Sequence, residues 1–305
     1  MMFFEKALIV IFIFLLLNGF NSRLTEKDSV KYAIATLPTP VLHTPDFRGI
    51  FGGEDGGTLR LDEDEQIEEL EFIAFPETVF EIEEIIEGNG KRIYKITTKD
   101  YPYPTDKGYF IDSRFVETVK IEPPERPKEL PSKQTVIQNL LSTEDGEYFW
   151  GGSYKNGIPQ MPLFYKPTSL LPEKIREKWM LKGLDCSGLL YYATNGCTPR
   201  NTSSLVNYGE SVRIADLEVD EIIQKVESLD IIVWIGHLII ILDKEHIIES
   251  RLDYDKDKEG FQGGVRIRQL EDVLVEIMES RVPVDNYKDE VKEGKKKVVI
   301  RRWYK

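Results

Sequence analysis

Gly183-Leu184-Asp185-Cys186-Ser187-Gly188-Leu189 decides how the rest of the chain is read, because it sets one of only two cysteines where turn residues give way to an apolar run. Asp185 and Ser187 are N-cap types, and Leu189-Leu190-Tyr191-Tyr192-Ala193 continues as an apolar helical stretch that Asn195-Gly196 ends. Cys186 is therefore expected in the first turn of a helix. Unpaired backbone N–H groups and the positive end of the dipole favour a thiolate there. Taken alone, such a cysteine is more often a small core residue; the histidines change that balance.

The chain has three histidines, His43, His237 and His246. His237 is the polar residue in the middle of Leu229-Asp230-Ile231-Ile232-Val233-Trp234-Ile235-Gly236-His237-Leu238-Ile239-Ile240-Ile241-Leu242, a β-rich apolar run. An imidazole so placed needs a partner. It is either a satisfied core histidine or the base of a Cys–His nucleophile pair, and a helix-start cysteine upstream is the context expected of the second.

Four segments in order then resemble the NlpC-type cell-wall cysteine peptidases, a bacterial family with a papain-like core. They are Tyr148-Phe149-Trp150-Gly151-Gly152, Asp185-Cys186-Ser187-Gly188, Pro199-Arg200-Asn201-Thr202, and Leu229-Asp230 through Gly236-His237. The resemblance implies an α+β fold in which a helix carrying Cys186 packs on an antiparallel sheet. It implies Cys186 as nucleophile and His237 as general base, with Tyr148, Asp185, Ser187 and Thr202 at substrate-contacting positions. The Cys186 backbone N–H at the helix start is the natural oxyanion donor, and Tyr148 a second. The implied substrates are peptidoglycan stem peptides or muropeptides, cut between γ-D-glutamate and the diamino acid through a thioester. Other uses of the fold are an amidase or acyltransferase acting on another amide, or a non-catalytic wall-binding protein.

The third member of the constellation departs from the common pattern, which has a polar residue, often histidine, on the strand after the catalytic one. Counting that interval from His237 arrives at Glu249. Asp243-Lys244-Glu245 reads as the hairpin turn. A three-residue turn pairs Leu242 with His246 and brings Glu249 to the face of His237; a two-residue turn favours His246. Glu249 is the expected orienting group, and a carboxylate serves that role in known triads. Residues 153–182 lengthen the gap between the aromatic motif and the nucleophile, and form either a lid over the groove or a surface elaboration.

Ahead of the core, residues 34–120 hold short runs such as Phe72-Ile73-Ala74-Phe75 and Arg92-Ile93-Tyr94-Lys95-Ile96, punctuated by Gly, Pro and Asp. They read as a small all-β barrel of the SH3-like kind, a module that relatives often carry. The Pro-rich stretch within 121–135 reads as a linker and 136–305 as the peptidase domain. The acidic segment Asp62-Glu63-Asp64-Glu65 is a solvated face, unless it lies near the groove, where it suits a substrate amine. A module closing one end of the groove would favour short substrates with a free amine.

Residues 1–22 read as an address. Ala7 to Leu17 are eleven uninterrupted apolar residues, short for a membrane span and suited to a secretory signal, or to a tether if uncleaved. No cysteine follows that could take a lipid, so export to an extracytoplasmic compartment, with or without a membrane anchor, is the expectation. A net charge of −13 leaves no broad basic stripe for nucleic acid. The basic residues around Val298-Val299-Ile300 read as a solvated final strand. Eleven residues of helix would hold Cys186 and Cys197 roughly 15 Å apart, beyond disulfide reach. No ligand spacing suggests a metal, and no cofactor is implied.

Overall fold

The computed structural model of the chain describes residues 30–52, 58–88, 91–253 and 262–304. The expected signal, residues 1–22, lies outside the described residues. Among those described, no helix is long and apolar enough to cross a membrane.

The N-terminal half is one antiparallel sheet. Its strands are β1 (Tyr32–Ala35), β2 (Thr39–Leu42), β3 (Leu70–Ala74), β4 (Val79–Gly88), β5 (Lys91–Thr97), β6 (Tyr109–Asp112) and β7 (Val116–Val119), and helix α1 (Phe47–Phe51) follows β2. They run in the order β3-β2-β6-β5-β4-β1-β7. β5 shows why the segment is a strand: Ile93 packs half-buried against one core while Tyr94 and Ile96, on the opposite face, point into another, the period-two alternation of a strand. Ala33, Val41, Phe72, Phe80 and Ile111 complete that core.

The Pro-rich stretch does not run free between the halves. Arg126 is buried, its guanidinium bound to Asp100 of the first half and to the carbonyls of Asn195 and Gly196 of the second. Helix α2 (Lys133–Leu141) begins inside the expected linker, where Ser132 caps it by accepting from the Thr135 amide.

Residues 153–182 turn out to be neither a lid nor a surface decoration. They form β8 (Ser153–Tyr154), α3 (Met161–Phe164) and α4 (Glu173–Trp179). Ile158, Met161, Trp179 and Leu181 are fully buried against Phe47, Phe51 and Leu70 of the first half. Each such apolar side chain contributes about 1.5–3 kcal/mol on burial, so the segment is built into the core of the first half while the β8–β9 pair ties it to the strand before Cys186.

The C-terminal half comprises β9 (Gly183–Leu184), α5 (Cys186–Ala193), α6 (Thr202–Leu205), β10 (Glu210–Val212), α7 (Val219–Lys225), β11 (Ile231–Trp234), β12 (His237–Ile241), β13 (His246–Asp253), β14 (Gln262–Gln269), α8 (Leu270–Ser280), β15 (Arg281–Pro283) and β16 (Lys296–Arg302). The sheet order is β10-β16-β11-β12-β13-β14, with β15 beside β16. α2 and α5 pack with Ile231, Val233, Leu238 and Ile240, while α7 and α8 pack with Ile232, Ile239 and Ile241. Covered on both faces, β11 from Ile231 to Val233 and β12 from Leu238 to Ile241 carry apolar residues at every position rather than alternate ones.

The expectation of a solvated final strand is wrong. β16 lies inside the sheet between β10 and β11, with Val298, Val299 and Ile300 buried. Its basic residues are accommodated by partners: Arg301 donates to the carbonyls of Asn207, Tyr208 and Gly209, and Arg302 to Asp230.

Candidate active site

The start of α5 is built by close backbone contacts and one buried cation. Asp185 caps the helix, its Oδ1 accepting from the Gly188 amide at 2.7 Å. The short pair β8–β9 holds the preceding strand beside the aromatic motif. Gly188 is required because a Cβ there would sit 1.9 Å from the Gly152 carbonyl oxygen. Arg200 spends all five N–H donors beneath this turn: on both Asp185 oxygens (2.9 and 2.6 Å), on Ser187 Oγ, on Ser153 Oγ and on the Gly152 carbonyl. Asp185 and Ser187 therefore hold the Cys186 turn in shape from within.

His237 opens β12 after a two-residue connection, Ile235-Gly236, from Trp234, with which it pairs. Thr202 Oγ1 accepts from the Gly236 amide at 3.0 Å, which ties that connection to α6. The Trp234 ring lies 5.2 Å from the imidazole, and the Arg281 guanidinium packs over the indole at 4.1 Å.

These elements bring Cys186, His237 and Glu249 together. His237 Nε2 lies 2.8 Å from Glu249 Oε2, and Cys186 stands close enough to act on the same imidazole. The register explains the Glu249 contact. Ile240 pairs with Ile248 and Ile241 with Ile247, so Glu249 sits diagonally across from His237 on the same face. His246 is instead at the turn, its Nδ1 3.1 Å from Asp243, and His43 belongs to the first sheet, bound to Glu71. Cys186 is 9% exposed and, like Cys197, free.

Burial opposes a charge on His237, but the contacts with Cys186 and Glu249 outweigh it and push the imidazole up to about 9. Burial would raise the Glu249 carboxyl, yet His237 and Arg268 hold it below the usual carboxylate range. A protonated imidazole flanked by an ionised carboxylate and a thiol is the arrangement that stores a thiolate–imidazolium pair.

Solved NlpC/P60 structures are similar to this chain. An NlpC/P60 family protein from Bacillus cereus is 12% identical over 92% of this chain and 66% of its own, with a TM-score of 0.31. RipD from Mycobacterium tuberculosis, described as a non-catalytic NlpC/p60 domain protein adapted to peptidoglycan binding, is 19% identical over 44% of this chain and 94% of its own, with a TM-score of 0.27. An NlpC/P60 endopeptidase from Photobacterium damselae subsp. piscicida is 12% identical over 81% and 48%, with a TM-score of 0.28. No family model and no curated protein matches the sequence.

Tyr148 stands close to the nucleophile. Burial, then the Asp185 and Cys186 charges, push its phenol above the ordinary value, so it keeps its proton as a hydrogen-bond donor. Asp64 of the acidic segment is near enough to act on the same phenol, and Gln66 Oε1 accepts from the Trp150 amide at 2.9 Å. The first half thus reaches the aromatic motif. Beyond Glu249, Arg268 and Glu276 extend the charge network, and a cavity of about 590 Å³ lined by His237, Glu249, Arg268 and Arg281 opens against α8. Sequence reading gave no role to Arg200, Arg268 or Gln66. Arg200 had a signal, an arginine fixed between the cysteine helix and Asn201 in a short motif; the other two had none.

Proposed function

We propose that the chain is a cysteine peptidase of peptidoglycan stem peptides, cutting the amide between γ-D-glutamate and the diamino acid. The observation that carries this reading is the Cys186–His237–Glu249 constellation at the start of α5. The Cys186 thiolate attacks the γ-carbonyl carbon, and the oxyanion is met by the Cys186 amide and the Tyr148 hydroxyl. The C–N bond then breaks as His237 gives its proton to the leaving amine. Water, deprotonated by His237, resolves the thioester and restores the thiol.

The approach of the acidic segment to Tyr148 supports short substrates that present a free amine to Asp64. The first half is then an SH3-like module that closes one end of the groove, and residues 1–22 export the protein or tether it to a membrane. A non-catalytic binder has no use for an ionised carboxylate behind an imidazole on a thiol, which disfavours that alternative.

A free stem tetrapeptide, its N-terminal amine unblocked, incubated with the protein and its Cys186→Ala variant, with products read by mass spectrometry, tests the reading. Release of a dipeptide containing the diamino acid by the parent alone is expected. Absence of that product, with Cys186 alkylating rapidly, moves the assignment to another amide; a sluggish thiol removes the catalytic reading.

A further inference from the structure

A second cavity, of about 350 Å³, lies on the N-terminal half where α1, β5 and the segment after α3 meet. It shares no wall residue with the Cys186 site. Arg48, Lys91 and Lys166 stand on its wall, and Phe47, Ile93 and Tyr165 give it an apolar side. The two carboxylates at the cavity are already engaged. Asp112 is buried and taken by Arg114 and the Tyr165 hydroxyl. Asp46 caps α1 at the Gly49 amide and lies 3.8 Å from Arg60.

Among the described residues, no carboxylate lies within ion-pair distance of Arg48, Lys91 or Lys166. The Lys91 ammonium donates to the Phe164 carbonyl at 3.5 Å and stands 5.2 Å from the Tyr165 ring centroid. Burial, then the Arg114 charge, depress the Lys91 ammonium below its ordinary value against the opposing pull of Asp112, and Arg48 adds to the depression. Among the described residues, three exposed cations without a carboxylate partner stand on the wall of one cavity, in a chain of net charge −13. Cations gathered on one wall leave a positive field that favours an anion.

We propose that this cavity binds a ring-bearing organic anion the size of one acidic sugar, its carboxylate or phosphate held by Arg48, Lys91 and Lys166 and its ring laid against Phe47, Ile93 and Tyr165. The volume is at the small end of ligand pockets, which run from roughly 300 to 1,000 Å³ and so admit a single ring here. Ammonium and guanidinium groups bind both acid types, and the aromatic wall suits the C–H face of a ring.

The test is calorimetric titration of the full chain with glucuronate and with glucose 6-phosphate, beside glucose and inorganic phosphate. At least one acid binds, glucose and inorganic phosphate bind about tenfold more weakly or not at all, and Lys91→Gln or Arg48→Gln weakens the acid about tenfold without changing the melting temperature. Which acid is preferred identifies the anionic group. The inference is overturned if neither acid binds at about 20 mM, a concentration that detects affinities weaker than millimolar. Inorganic phosphate binding as tightly as the sugar phosphate, or affinity that survives Lys91→Gln, overturns it too. Cys186→Ala leaves binding intact; loss in that variant would move the ligand to the thiol and end the proposal.

Discussion

Arg268 Nη1 lies 2.9 Å from Glu249 Oε1, the carboxylate oxygen that His237 does not use, so Glu249 is held from both sides. Arg268 is fixed in turn by Glu276, which also takes Arg251. The imidazole therefore feels a carboxylate whose charge is partly balanced and whose orientation is set by a second strand.

Replacing Glu249 by Gln removes the anion that helps raise His237. The high-pH limb of thiol alkylation and of peptide cleavage should fall from about 9 toward the ordinary imidazole value. Cleavage should drop by up to about 10,000-fold, as when the carboxylate that orients a triad histidine becomes an amide. An unchanged limb would remove Glu249 from the constellation.

Arg268→Gln has the opposite sign. Loss of a nearby cation lets the carboxylate act more strongly on the imidazole, so the same limb should move upward while kcat falls severalfold from lost orientation. Arg268→Lys should restore the limb more than the rate, because an ammonium keeps the charge but not the planar fork. Profiles of the two Arg268 variants that coincide with the parent would show Arg268 to be a surface ion pair alone.

The His237 shift also bears on stability. Its folded value lies above the ordinary 6.5, so the contribution is complete below 6.5 and is lost as pH rises toward about 9. Glu249 is shifted down, so its contribution is present above the ordinary 4.5 and is lost on acidification. The melting-temperature gap between the parent and Glu249→Gln should be widest between these two values and narrow on either side. A gap flat from pH 4 to 9 would contradict the pairing.

Arg200→Lys should unfold the nucleophile turn rather than merely slow cleavage. A lysine cannot span Asp185, Ser187, Ser153 and the Gly152 carbonyl, and the buried Asp185 would lose its partner. Breaking such a pair costs about 3–5 kcal/mol. Thermal unfolding measures it, and a variant as stable as the parent would show that water replaces the guanidinium.

Trp179→Ala should cost about 3–5 kcal/mol, the usual range for a buried indole, and lower the single melting transition of the whole chain. Two separate transitions in the parent would mean that the core around Trp179 does not couple the halves.

Local signals were readable and distant ones were not. The α5 start could be read because a cap, a nucleophile position and a helix end lie within about ten residues of one another. The Glu249 juxtaposition followed from a three-residue turn and the parity of a strand. Arg268 could not be placed, because the residues between β13 and β14 are too many to fix a register. Residues 153–182 were opaque for another reason: Ile158, Met161 and Trp179 look the same in sequence whether they cap a groove or fill a core, and only their partners Phe47, Phe51 and Leu70 decide. The run around Ile300 misled because its arginines find carbonyl and carboxylate partners inside the fold, where isolated cations would not go.

The core shared by Trp179 with Phe47 and Phe51 leaves neither half with a finished surface of its own. A nick in the 121–135 stretch would give two fragments that remain associated, since the chain connection is not what holds them. Exchanging the N-terminal module as a cassette would strip Ile158, Met161 and Trp179 of their packing partners, so a replacement must bring its own counterpart to residues 153–182.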